Sequence, residues 1–179
     1  MSDTGKIAGH PEWSLSLVTE ETRSLLERLF ELYLYDFSEM EHADVAEDGL
    51  FRPPAPPWIA RFIGQPHRHA FIMRAVNKPA GVVLLDEQSP MPRSAHRHYL
   101  AAFFVMRAYR RSGLGAAVAR HLFDRFPGPW QVLEVAANPA AQQFWRGTIG
   151  AYTGDRYTER WLNVREIVQE FDTADRVDR

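Results

Sequence analysis

Two glycines one residue apart, Gly113 and Gly115, follow a pair of arginines in the stretch Arg110-Arg111-Ser112-Gly113-Leu114-Gly115, and helically spaced apolar residues begin directly after them. Such a bend at a helix N-terminus bares successive backbone N–H groups, and the helix dipole adds roughly half a positive charge there. Neighbouring guanidinium groups strengthen the attraction. The chemistry is capture of a phosphate or diphosphate. A P-loop would need Gly-Lys followed by Ser or Thr, which is absent. A dinucleotide fingerprint would need a third small residue where Val118 stands and an acid at the end of the next strand. A bare Gly-x-Gly can also do no more than shape a tight strand-to-helix turn, so its surroundings decide the reading.

Those surroundings supply a strand, a turn and a helix. Residues 99–106 are the most hydrophobic stretch of the chain and read as a core strand. Residues 116–126 set Val118, Ala119, Leu122, Phe123 and Phe126 on one side and Arg120, Asp124 and Arg125 on the other, the pattern of an amphipathic helix that Pro127-Gly128-Pro129 stops. Upstream, 13–19 alternates as a half-exposed first strand. Thr19-Glu20-Glu21-Thr22 looks like a capped helix start, with an apolar stripe from Leu25 to about Phe37. Acids and then Pro53, Pro54, Pro56 and Pro57 mark 38–64 as a short helix or turn followed by a constrained loop. Residues 70–75 and 80–85 read as strands joined by a hairpin at Asn77-Lys78-Pro79. The second is apolar throughout, as a central strand would be. Residues 130–135 give another strand, Asn138-Pro139 opens a helix, and 157–171 supplies closing strands.

At 179 residues, 45% hydrophobic and 25% charged, the chain has the size of one globular domain with a core of its own. There is no cysteine, which excludes disulfides, thiolate metal sites and thiol nucleophiles. Residues 1–12 lack the apolar stretch of a secretory signal, and no apolar run reaches membrane-spanning length, so a cytoplasmic protein without membrane association is expected. The net charge of −2 argues against nucleic acid as a partner, although five arginines and one acid lie between Arg107 and Arg125.

The spacing Arg-x-x-Gly-x-Gly at Arg110, Gly113 and Gly115 resembles the pyrophosphate loop of the GNAT N-acetyltransferases. Three further features carry the resemblance. Phe103-Phe104-Val105-Met106 stands where that family has a strand that splays from its neighbour and bonds the pantetheine amides. Asn138-x-x-Ala141-x-x-Phe144-Trp145 matches the family's helix motif after the next strand. The order of elements from 13 to 171 fits the family's layout, and 102–153 is similar to a bacterial subgroup of predicted acetyltransferases. The resemblance implies an α/β fold with a mixed sheet of about six to seven strands flanked by helices. The domain would span 13–171, between a flexible N-terminus at 1–12 and a polar tail at 172–179. It further implies acetyl-CoA as donor, held by Phe104, Val105, Arg110, Arg111, Ser112, Gly113, Leu114, Gly115, Ala116, Asn138, Phe144 and Trp145. The acceptor would be the amine of a small molecule or peptide. No metal is expected, since His67, His69, His96 and His98 show no recognisable ligand pattern.

In that family the amine attacks the thioester directly, so a base must take a proton and a donor must protonate the thiolate. Many members use a tyrosine seven residues after the helix-opening asparagine, a position held here by Trp145, whose indole N–H donates a hydrogen bond but is no acid. Tyr152 and Tyr157 are the replacement candidates, beside water. A coenzyme-binding module with little catalysis is the alternative reading that Trp145 motivates. Glu134, in Leu133-Glu134-Val135, is the candidate base if burial raises its pKa, and it otherwise faces solvent or an arginine. His96 and His98 are weaker candidates in a polar loop. Asp36, Glu39, Glu41 and Asp44 form a negative cluster suited to a cationic acceptor, with Tyr33, Phe37 and Trp58 as candidate apolar lining. Exposed closing strands make a homodimer reasonable.

Overall fold

The computed structural model describes residues 2–5, 12–51, 57–89 and 98–177. Its strands are β1 (Ser2–Gly5), β2 (Trp13–Leu17), β3 (Arg68–Ala75), β4 (Lys78–Asp86), β5 (His98–Val105), β6 (Pro129–Val135), β7 (Thr158–Asn163) and β8 (Glu166–Asp172). The helices are α1 (Arg23–Glu41), α2 (Leu114–Arg125) and α3 (Pro139–Thr153). The sheet runs β1-β2-β3-β4-β5-β6-β8-β7, a mixed α/β architecture with one strand more than the sequence suggests. The additional strand is β1, antiparallel to β2, within the segment expected to be flexible. Ser2-Asp3-Thr4-Gly5 has no apolar alternation to announce it. Its seating depends on Gly5, where a Cβ would fall 2.4 Å from Cζ2 of Trp13.

Backbone contacts group the chain into two units, Met1–Leu85 with Ala102–Leu114, and Asp86–Ala101 with Gly115–Arg179. In the first, β2 and β3 pair antiparallel from Trp13 opposite Ala75 to Leu17 opposite Phe71. The turn into β4 is made by Val76 and Asn77, both at positive φ, the geometry that matches the twist of a two-residue hairpin. Lys78 and Pro79 therefore already belong to β4. Phe71, Ile72, Met73 and the run 82–85 are fully buried, which accounts for strands without alternation. The Thr19 amide donates to Thr22 Oγ1, with Glu20 and Glu21 in the first turn, ahead of α1. α1 runs four residues beyond Phe37 to Glu41 and closes on His42 in the left-handed region. It buries Leu26, Leu29 and Phe30.

In the second unit β5 pairs parallel with β6, His98–Leu100 opposite Trp130–Val132, so the ladder covers the first three residues of an eight-residue strand. β6 pairs antiparallel with β8 along its whole length, and β8 with β7. The apolar stripe of α2 (Leu114, Val118, Ala119, Leu122, Phe123) is buried as its spacing requires. Phe123 packs edge-on to Trp130 at 5.0 Å and to Phe171 at 4.8 Å. Asn138 caps α3 by accepting from the Ala141 amide at 3.0 Å, with Pro139 at the first helical position.

Candidate active site

β5 delivers the chain to the glycine loop, and its end is fastened on several sides. The Met106 amide donates to Ala80 O at 2.8 Å. A Cβ on Gly81 would lie 2.0 Å from the Phe104 carbonyl oxygen, so only glycine lets β4 come this close. A 3-10 turn, Arg107–Tyr109, follows. Arg111 at φ 60° and Gly113 at φ 81° then turn the backbone into α2, which starts at Leu114. Ser112 Oγ donates to Tyr109 O at 2.7 Å and accepts from the Leu114 amide at 3.4 Å, bracing the bend from within. No acceptor among the described residues takes the amides of Gly113, Gly115 or Ala116. Unmet amides ahead of a three-turn helix fit a diphosphate by charge and by donor count.

The arginines divide differently from the expectation that all of them serve the anion. The Arg110 Nε donates to Val105 O at 2.8 Å, its Nη2 bonds Asp36 Oδ2, and the Arg107 Nε donates to Asp36 Oδ1 at 2.8 Å. Asp36, on α1, thus holds two arginines of the loop region and leaves the acidic cluster proposed for a cationic acceptor. The Arg110 guanidinium also lies over the Phe104 ring at 5.8 Å. Arg111 is exposed and meets no carboxylate among the described residues. Tyr33 packs against Phe37 at 4.6 Å and Phe104 at 5.8 Å, an aromatic cluster on the same unit.

A second polar group lies on β6, β8, β7 and α3. Glu134 is 4% exposed, and neither carboxyl oxygen has a hydrogen-bond partner. Burial, and then the charge of Glu159, push its pKa up from the ordinary 4.5 to about 7, against a smaller lowering by Arg146. Arg146 grips Glu159 with two hydrogen bonds of 2.8 and 2.6 Å, which hold the Glu159 pKa down. Gln169 adds a third bond, Nε2 to Glu159 Oε2 at 2.7 Å. Burial raises the Tyr157 hydroxyl, followed by the charges of Glu159 and Asp155, with Glu134 the smallest contribution. Arg146, Glu159 and Gln169 were not singled out by the sequence.

Tyr152, the candidate proton donor, is tied to α2. Its hydroxyl donates to Asp124 Oδ1 at 2.9 Å, and Asp124 also accepts from Arg176 at 3.0 Å. Burial and then Asp124 raise its pKa, so releasing that proton would set a phenolate against a carboxylate. Asn138 spends its side-chain oxygen on the α3 cap, while Phe144 and Trp145 pack edge-on at 4.8 Å, with Trp145 buried. Phe104 is buried, Val105 half-buried, and Gly115 and Ala116 lie in the first turn of α2. His98 opens β5 rather than lying in a loop. It is buried between Phe126 and Trp130, with Nε2 3.0 Å from Pro127 O. His96 and the prolines 53, 54 and 56 lie outside the described residues, as does the Trp58 side chain.

The acetyltransferase (GNAT) family model matches residues 26–150. Among solved structures, the chain is similar to the GNAT domain of S. lividans PAT (TM-score 0.68, 15% identity, 96% of each chain covered). It is also similar to an acetyltransferase from Thermus thermophilus (TM-score 0.66, 16% identity, 89% of this chain and 96% of that one). A GNAT-family acetyltransferase from Listeria monocytogenes aligns at TM-score 0.63 and 12% identity, over 95% of this chain and 99% of the other. At these identities the likeness is one of fold. No curated protein matches the sequence.

Proposed function

We propose, for a chain that belongs to the acetyltransferase (GNAT) family, that the acceptor of its acetyl group is an amine of a small molecule or peptide and that Glu134 is the base. Acetyl-CoA is the donor in this family and supplies an acetyl group activated as a thioester. The amides of Gly113, Gly115 and Ala116, with the exposed Arg111, would hold its diphosphate, and Phe104 and Val105 its pantetheine arm. Arg110 acts on the loop itself, through Val105 O and Asp36.

The observation that carries the reading is Glu134: a buried carboxyl with both oxygens unpartnered and a pKa near 7. Such a group is part ionised at neutral pH and can accept a proton from an ammonium, directly or through one water, a role that contributes roughly 10²–10⁴-fold. A solvated glutamate would be ionised too, but too weak a base to help. Trp145 supplies at most an N–H donor, and Tyr152 is engaged with Asp124, so the returning proton comes from water or from Tyr157.

Calorimetric titration of acetyl-CoA into the wild type and Gly113→Val tests the loop. A β-branched residue at φ 81° is strained, so affinity should fall at least about tenfold. Thiol release on a panel of amines, corrected for the rate without protein, tests transfer, and the chain adds no thiol of its own because it has no cysteine. Unchanged affinity in Gly113→Val would overturn the loop assignment. Tight binding without thiol release from any amine would identify a coenzyme-binding module instead.

A further inference from the structure

The outermost strand beyond β8 is β7, and its far side is open. All six of its residues, Thr158-Glu159-Arg160-Trp161-Leu162-Asn163, are exposed, and its ladder is the antiparallel one with β8. Among the described residues no segment pairs with its outer side, which leaves a row of backbone N–H and C=O groups for another strand. Three large apolar side chains fall within four positions here. Trp161 is 63% exposed, Leu162 38%, and Val164, in the turn to β8, 90%. Single apolar side chains on a surface need no account, but a cluster of them on an open strand edge points to a contact.

The devices that keep strand edges apart are weak on this one. It has no proline and no lysine, and its bulge comes only after Trp161. Its two charges are turned to the protein itself: Glu159 is held by Arg146 and Gln169, and Arg160 reaches Glu170 at 3.3 Å. A strongly charged partner therefore finds little to answer here, whereas a second β7 meets its own complement of backbone groups. The register follows from the charges. In antiparallel pairing, a two-fold axis at Glu159 sets two carboxylates opposite each other and one at Arg160 sets two guanidinium groups opposite each other, and both arrangements are unfavourable. An axis at Trp161 brings indole against indole, with Arg160 of one copy opposite Leu162 of the other.

We propose that two copies of the chain pair antiparallel through β7, about a two-fold axis at Trp161. Such an interface uses the same patch on both copies and closes on itself, so the assembly stops at two. Its centre is a pair of tryptophans, a residue type that dominates the energetics of many interfaces, with Leu162 and Val164 beside them. One short strand with three apolar side chains gives less than the roughly 800 Å² that each partner contributes to a standard interface. The dimer is therefore a weak one, with a dissociation constant of about 10 μM.

Sedimentation velocity of the full-length chain from about 1 to about 200 μM tests the pairing, with thermal unfolding as the check that each variant folds. The wild type should pass from monomer to dimer across that range. Trp161→Glu, which sets two carboxylates at the axis, should weaken the dimer at least about 30-fold with an unchanged melting temperature. Trp161→Cys gives the chain its only thiol, and a short bismaleimide should join two copies through it. Val76→Cys, at a position that is also 63% exposed, should give little linked product under the same conditions. A wild type that stays monomeric at about 200 μM, a dimer that Trp161→Glu leaves intact, or cross-linking no greater at 161 than at 76 would overturn the pairing.

Discussion

Replacing Glu134 by glutamine should make the protein more stable while disabling it. In the folded chain the carboxyl titrates at about 7 against an ordinary 4.5, because burial and Glu159 disfavour its charge. At about 1.4 kcal/mol for each tenfold change in proton affinity, that separation is worth about 3 kcal/mol. The sign follows from which state binds the proton more tightly. Between pH 4.5 and 7 the folded state holds a proton that the unfolded state has lost, so this contribution to stability is complete below pH 4.5 and is lost as pH rises through 7. Glutamine keeps the shape and carries no charge. Urea unfolding across pH 4 to 9 should therefore show Glu134→Gln level with the wild type near pH 4. The variant should be about 3 kcal/mol more stable at pH 8, or about 6–12 °C higher in melting temperature for a chain of this length. Acetyl transfer should fall by about 10²–10⁴. A stability gap that stays constant with pH, or a wild type that is the more stable at pH 8, would refute the claim that Glu134 is held in a desolvated site.

Three further changes separate scaffold from chemistry. Gly81→Ala drives a Cβ against the Phe104 carbonyl and should cost about 2–3 kcal/mol in thermal unfolding; a neutral result would mean that β4 and β5 are not held at this spacing. Tyr152→Phe should lose about 1–2 kcal/mol with its hydrogen bond to Asp124 and leave the transfer rate unchanged, whereas a large drop in rate would return it to the chemistry. Asp36→Asn frees the guanidinium groups of Arg107 and Arg110, so acetyl-CoA affinity should become more steeply dependent on salt, measured from 50 to 500 mM sodium chloride; an unaltered slope would show that neither arginine reaches the coenzyme's field.

What the sequence discloses here is what is local. The glycine bend, the stripe of α2 and the Asn138 cap each depend on residues within a turn or two of one another, and all three stand where the spacing puts them. The acetyl donor likewise follows from motifs contiguous in the chain. Glu134 is different: Leu133-Glu134-Val135 alternates as any half-exposed strand does, and nothing in that alternation says that the Glu134 face is the buried one. Its neighbours arrive from Arg146, Glu159 and Gln169, and no periodicity links those positions. Asp36 meets Arg107 and Arg110 across more than seventy residues, so an acid that reads as part of a negative cluster is a clamp in the fold. His98 did carry a usable signal. It shares parity with Leu100, Ala102 and Phe104, the inward side of β5, so treating its surroundings as a polar loop overlooked the alternation.

The clamp explains why an arginine should open the glycine loop at all. Arg110 reaches backward, to the carbonyl that ends β5 and to Asp36 on α1, so its charge is largely answered before any ligand arrives. On the proposed reading, attraction for the diphosphate would fall to the amides of Gly113, Gly115 and Ala116, to the start of α2 and to Arg111. Amides fixed on a backbone need no reordering when an anion binds, whereas long side chains lose rotamer freedom to make the same contacts. A loop built this way would bind by geometry more than by net charge, with Gly81 holding the end of β5 and Ser112 bracing the bend. Glu134 is the reverse case, a buried carboxyl that no donor answers, which is why the proposed chemistry is assigned to it and not to Arg110.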